Sequence, residues 1–277
     1  MLSRTRQEPR RKEVGEEILR KTSIEKAPSS LLSSTLVHGL PENTRVMSGR
    51  ATCRGEGCNK AKKRLREPIS GLTHLAGGLL ASVGLIVLLD MAASAGRTDQ
   101  LVAFGVFGLG MIVLYTASTL YHLLPLSPAG VARLRRVDHM AIFLFIASTY
   151  TPFCLLALDS GWRVGLLVLI WGLALCGVLL KVLWMGAPRW VSVMLYLGMG
   201  WLAAIAAPVI FRAVPAGGMA WVLGGGLLYS AGAFVYGLKR PNPVPGVFGF
   251  HELWHIFVLA GSACHFWAVL RYIAPLA

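Results

Sequence analysis

The chain has 277 residues, 55% hydrophobic and only 14% charged, with a formal net charge of +14. Soluble domains carry about 25% charged residues, so this composition excludes an ordinary soluble globule. Residues 1–66 hold 16 of the 27 Lys+Arg and 7 of the 13 Asp+Glu; the basic balance therefore belongs to a tail, which favours an anionic lipid surface over nucleic acid as its partner.

That segment, 1–66, mixes Arg, Lys, Glu, Ser and Pro without a sustained apolar period. Burial cannot offset the cost of ordering it, so a disordered cytoplasmic tail is expected. It has no apolar core of a secretory signal, and its interspersed glutamates disfavour a transit peptide. Met47 is a candidate true start. Cys53 and Cys58 match no strong zinc spacing, and Cys154, Cys176 and Cys264 lie in apolar runs as small hydrophobes.

From residue 67 to 277 the pattern becomes apolar blocks, each long enough for a bilayer, which takes about 20 helical residues. The expected fold is an all-α bundle of seven transmembrane helices at 69–90, 101–123, 138–158, 162–184, 189–211, 218–238 and 249–271. Counting links together with the helix ends beside them, Arg133, Arg135 and Arg136 belong to the second, Lys181 and Arg189 to the fourth, Lys239 and Arg240 to the sixth. The odd-numbered links hold one each: Arg97, Arg163 and Arg212. This bias puts the even links and the N-terminus in the cytoplasm and the C-terminus outside the inner (plasma) membrane. Pro152 and Pro208 fall inside helices, where kinks are expected, with carbonyls freed for neighbours such as Thr149.

The chemistry gathers at one level. His251 and His255 open the last span four residues apart, within about 40° of each other on a helix, so both rings can reach one ion. Zinc doing chemistry usually takes three protein ligands. On the side that the charge bias assigns to the cytoplasm, His122 ends the second span, Asp138 starts the third, and Glu67 and His74 begin the first. A single histidine near a helix end is usually interfacial. Several ionisable groups at one depth are costly unless something compensates them. His139 points about 100° away from Asp138 and reads as interfacial. His265 lies about 15 Å deeper than His255, too far for the same ion, and is free to hydrogen-bond inside the bundle.

Together these residues resemble the signature of the haemolysin III proteins, the bacterial branch of the progestin and adipoQ receptor family, related to alkaline ceramidases. The resemblance is carried by Glu67-x2-Ser70-x3-His74, Ser118-x3-His122, Asp138-His139-x9-Thr149-Tyr150-Thr151-Pro152-Phe153 and Phe250-His251-Glu252-x-Trp254-His255. It covers about residues 67–273; Ser70 stands where the family more often has Asn. The resemblance implies zinc on His122, His251 and His255 near the cytoplasmic face, with Asp138 and Ser118 contacting its water and a ceramide-like lipid amide or ester as substrate. Zinc can lower the pKa of its water to about 7 and a carboxylate can take the proton. Glu67 and His74 would orient Asp138 or a ligand.

The leading function is thus a zinc-dependent lipid hydrolase, or a lipid sensor in membrane homeostasis built on that site. A pore-forming cytolysin or channel is the alternative that the family name suggests. His251-Glu252-x-x-His255 also matches the H-E-x-x-H pattern of metalloproteases, but no acid follows Glu252 to serve as a downstream ligand. A retinal protein would need a lysine within the last span, and residues 249–271 contain none.

Overall fold

The structure, a computed structural model, describes residues 65–276. Most of the expected tail, with Met47, Cys53 and Cys58, lies outside the described residues. Its last member, Arg66, is docked on the bundle, donating from Nη1 to the Tyr121 carbonyl at 3.0 Å.

Seven helices are long and apolar enough to cross a membrane: α1 (Pro68–Ser94), α2 (Thr98–Leu123), α3 (Pro128–Ala157), α4 (Ser160–Leu183), α5 (Arg189–Ala213), α6 (Ala216–Leu238) and α7 (Phe250–Leu276). Among the described residues the one departure from helix and turn is an isolated bridge between Val244 and Phe248. The surface is as apolar as such a role demands: Leu80 on α1, Val168 on α4 and Phe234 on α6 all face outward.

Six helices start and end within a few residues of the expected spans. The exception is α3, which begins ten residues earlier than 138, so Arg133, Arg135 and Arg136 lie on helix rather than in a link. Its start is a local matter: Ser127 Oγ accepts from the Gly130 amide at 3.3 Å and Pro128 needs no donor partner in the first turn. Counting apolar residues misses such a polar opening turn. Lys181 is part of the last turn of α4, inside the expected span 162–184, and is fully buried.

The two prolines behave differently. Pro152 leaves α3 continuous, while Ser148, Thr149 and Thr151 turn their hydroxyls onto carbonyls of the preceding turn; Thr149 Oγ1 donates to Ile146 O at 2.6 Å. Just before Pro208, by contrast, α5 tightens into 3₁₀ geometry over Leu202–Ala206. Tyr150 of α3 fills in for the disturbed backbone, its hydroxyl lying 2.7 Å from Met199 O and 2.8 Å from Gly200 O and accepting from the Ala203 amide at 3.0 Å. The break is thus held from a neighbouring helix, as irregular backbone in an apolar setting must be.

Close helix contact relies on small residues where lipid gives little hydrophobic drive. Gly177 of α4 lies flat against the buried Phe143 ring of α3, where any Cβ would clash. At the far end, Gln100 of α2 donates to Ala274 O of α7 at 2.9 Å, so its buried amide has a partner. The Gln100 bond ties α7 to α2, and the Ser70 hydroxyl and carbonyl of α1 meet Glu252 and His255 of α7, which brings distant histidines together.

Candidate metal centre

Three elements converge at the end of the bundle where α2 stops and α1 and α7 start. His122 lies in the last turn of α2 and is 1% exposed; His255, one turn into α7, is 2% exposed; His251 is half-buried beside them. One ring nitrogen from each of the three lies within 4.8 Å of the others, so this group could hold a metal ion. The His122 and His251 Nε2 atoms are 3.4 Å apart. Two imidazoles on a tetrahedral zinc, at about 2.0–2.1 Å each, have nitrogens about 3.4 Å apart, so this pair already has the needed spacing.

The hydrogen bonds around the rings choose the tautomers that a metal needs. Glu67, at the N-terminal end of α1, places Oε2 2.5 Å from His122 Nδ1. That bond to His122 holds the Glu67 carboxyl down at about 2, against the opposing effect of partial burial. Being ionised, the carboxylate must accept, so His122 Nδ1 carries the proton and Nε2 presents its lone pair. His255 Nδ1 lies 3.1 Å from the Ser70 carbonyl, which can only accept, and so His255 Nε2 is also a free lone pair. Ligating histidines commonly donate their other nitrogen to a carboxylate or carbonyl in this way. The donor set therefore fits a nitrogen-seeking cation.

His74 of α1 sits beside the group without joining it. Its ring stacks on His255 with centroids 3.8 Å apart and planes 12° from parallel, and Tyr115 meets it edge-on at 5.1 Å. Among the described residues neither ring nitrogen of His74 has a hydrogen-bond partner, although both are buried. It orients His255 by stacking rather than orienting Asp138 by a hydrogen bond. An orphaned pair of buried polar atoms here calls for a polar guest.

Asp138 and Ser118 line the same space. Both are buried, Ser118 one turn deeper than His122 on α2 and Asp138 in the third turn of α3. His139, set aside on periodicity, is a neighbour after all: its Nδ1 lies 3.6 Å from Asp138 Oδ2 and donates to Arg135 O at 2.9 Å. Because α3 starts early, the turn that carries His139 is packed rather than terminal, which no apolar count would reveal.

Glu252, the acid of the H-E-x-x-H match, is otherwise employed. Its Oε2 accepts the Gly249 amide at 2.8 Å, capping α7, and its Oε1 accepts from Ser70 Oγ at 3.1 Å. Ser70 thus ties α1 to α7, and the capping carboxylate is an unsuitable protease base. His265 donates from Nδ1 to Gly261 O at 2.9 Å, deep in the bundle.

His74, Ser118, Asp138, His251 and His255 open onto one cavity of about 610 Å³ that continues past Tyr150 to Leu166, Ile210 and Met219 near the opposite end. Its side wall is α5 and α6. Trp201, Phe211 and Leu223 line the cavity and are also exposed, so this wall is one side chain thick. Trp201 Nε1 donates to Ser230 Oγ at 3.0 Å between the two helices.

Comparison with known proteins agrees with this architecture. The family model described as "Haemolysin-III related" matches residues 62–266. "Hemolysin-3" of Bacillus cereus is 38% identical over 213 residues, covering 76% of this chain and 93% of that protein. "Hemolysin-3 homolog" of Bacillus subtilis (strain 168) is 37% identical over 206 residues, covering 74% and 93%. More distantly, the human "Monocyte to macrophage differentiation factor" is 27% identical over 175 residues, covering 61% and 69%.

Proposed function

This chain belongs to the haemolysin III family of multi-pass membrane proteins, and from that premise we propose that it is an intramembrane zinc hydrolase acting on a lipid amide or ester. The observation that carries the reading is the group of three imidazoles that could hold a metal, two of which, His251 and His255, line a long, mostly apolar cavity. A lipid can enter sideways between α5 and α6 without leaving the bilayer, its chain lying along Leu166, Ile210 and Met219.

His122, His251 and His255 would hold the zinc. The ion supplies a Lewis acid that polarises a carbonyl and eases loss of a proton from water. Asp138, buried on the cavity wall, is the base: a carboxylate oxygen takes the proton of the attacking water and returns it to the leaving nitrogen or oxygen. Ser118 Oγ, one turn below His122, donates to the substrate carbonyl. Glu67 fixes the His122 ring, and His74 backs His255 while offering its free nitrogens to the guest. The apolar wall excludes bulk water, which strengthens each of these polar contacts.

The site's end of the bundle also carries Arg133, Arg135, Arg136, Lys181, Arg189, Lys239 and Arg240. The positive-inside rule makes that end cytoplasmic. Metal analysis of the detergent-purified protein tests the centre: about one zinc per chain, lost in His122→Ala and His255→Ala. Full occupancy in both variants refutes the ligand set. Purified protein with zinc but no turnover of ceramides, lipid esters or phospholipids would leave a sensor on the same site. Liposome leakage persisting after removal of all three histidines would instead favour a channel.

A further inference from the structure

The end of the cavity beside the histidines, its mouth, is cationic, and Asp138, the one described carboxylate that lines the cavity, is within ion-pair distance of His139 rather than of any cation there. Arg135, Lys181, Arg189 and Lys239 all line it, at the same end as Asp138 and the histidines. Among the described residues, carboxylates within ion-pair distance are limited to the Arg66–Glu67, Arg97–Asp99, His122–Glu67 and His139–Asp138 contacts, and none of these involves a mouth cation. Lys181 is the telling member. It is 2% exposed, and its one hydrogen bond among the described residues is from Nζ to Ser192 Oγ at 2.5 Å. A buried ammonium is costly unless an anion accompanies it, and among the described residues no carboxylate lies within ion-pair distance of Lys181.

Arg189 is prepared in the same sense. Its guanidinium lies over the Tyr236 ring at 4.6 Å and donates from Nη1 to Tyr236 O at 3.1 Å, which fixes the plane and leaves the remaining N–H groups uncommitted. A rigid guanidinium beside an ammonium suits an oxyanion with several acceptor oxygens, above all a phosphate.

We propose that the cavity selects a lipid with a phosphate headgroup, held by Lys181, Arg135, Arg189 and Lys239. Register along α3 supports this. Arg135 and Asp138 are three residues apart, on one face, with about 4.5 Å of rise between them. In a glycerophospholipid the ester carbonyl lies a few bonds below the phosphate. A headgroup at Arg135 and Lys181 therefore delivers that carbonyl to the level of Asp138 while the chain continues into the apolar part. This deepens the hydrolase reading, on which it rests for the purpose of the carbonyl, by naming a phosphate-headed ester lipid rather than a neutral ceramide.

Positive-inside charge alone is the competing account of these residues, and Arg133 and Arg136 separate the two. They share the end and the sign but do not line the cavity. The test uses full-length protein in detergent, titrated with dioleoyl phosphatidylglycerol, with phosphatidylcholine and neutral diacylglycerol of the same chains, and with inorganic phosphate. Binding is read by native mass spectrometry and thermal shift, with zinc content measured in parallel. Phosphatidylglycerol should bind at least tenfold more tightly than diacylglycerol, with phosphatidylcholine between them. Arg135→Gln and Lys181→Met should each weaken phosphatidylglycerol about tenfold, the value of one charge-assisted contact. Arg133→Gln and Arg136→Gln should leave it unchanged, and Lys181→Arg should restore most of the affinity.

Equal loss in the Arg133 and Arg136 variants would overturn the site in favour of a diffuse surface charge. Tight, Lys181-dependent binding of inorganic phosphate alone would overturn the lipid assignment. Should Lys181→Met fail to fold, the exposed Arg135 carries the same comparison. Zinc retained while phosphatidylglycerol shows no preference sinks this proposal and spares the metal centre; zinc absent from wild type sinks the centre and leaves the lipid titration readable.

Discussion

Replacing Glu67 by Gln examines the metal centre without touching a ligand. The carboxylate stands 2.5 Å from His122 Nδ1 and stays ionised across any practical assay range, its carboxyl being held down at about 2 by that bond. An amide keeps the shape but loses the charge that makes His122 Nε2 a better donor. Removing such a partner commonly weakens metal binding about 10–100-fold. Glu67 is 41% exposed on its side chain, so water can replace part of what is lost and the low end applies. The expected change is about tenfold in zinc dissociation constant, or about 1.4 kcal/mol. Competition with a fluorescent zinc chelator on detergent-purified protein measures it, with His122→Ala as the fully depleted reference. An unchanged dissociation constant in Glu67→Gln, beside a depleted His122→Ala, would show that Glu67 does not act through the metal and refute the tautomer argument.

Protons compete with metal for imidazole nitrogen, so zinc affinity should fall as pH is lowered, and zinc bound by protonated rings should release protons; titration calorimetry in buffers of different ionisation enthalpy reads both effects. Glu252→Gln should keep the zinc and the hydrolytic activity while losing about 1 kcal/mol of stability from the α7 cap, seen as a lowered Tm; abolished activity in a folded, zinc-loaded variant would revive the protease reading. Gly177→Ala should destabilise by roughly 1–3 kcal/mol, because the Cβ meets the fully buried Phe143 ring and one of two packed helices must move; an unaltered Tm would mean that α3 and α4 pack less closely than described.

Much of the bundle was legible from residue order. Apolar length sets how many helices cross, since a bilayer imposes about 20 residues per crossing whatever the neighbours are. Histidine spacing on α7 was equally plain, because four residues are one turn wherever the helix lies. Polar starts were harder: Ser127-Pro128 opened α3 ten residues early, and the 3.6 Å approach of the His139 ring to the carboxylate of its sequence neighbour Asp138 is a side-chain matter that periodicity does not set. The pairing of Glu252 with Ser70 was hidden in the same way, since a capping carboxylate and a catalytic one have the same letter.

Residue order by itself determined seven apolar helices, a charge-poor interior and a set of histidines at one end, because hydropathy and helical periodicity are local properties. Only the tertiary structure decided which nitrogen of His122 and of His255 is free, that Glu67 rather than His74 holds a ligand by hydrogen bond, and that Lys181 is buried with no described carboxylate beside it. Those facts depend on contacts between α1, α2, α4, α5 and α7, residues up to 185 positions apart, and no local pattern encodes which side chain will meet which.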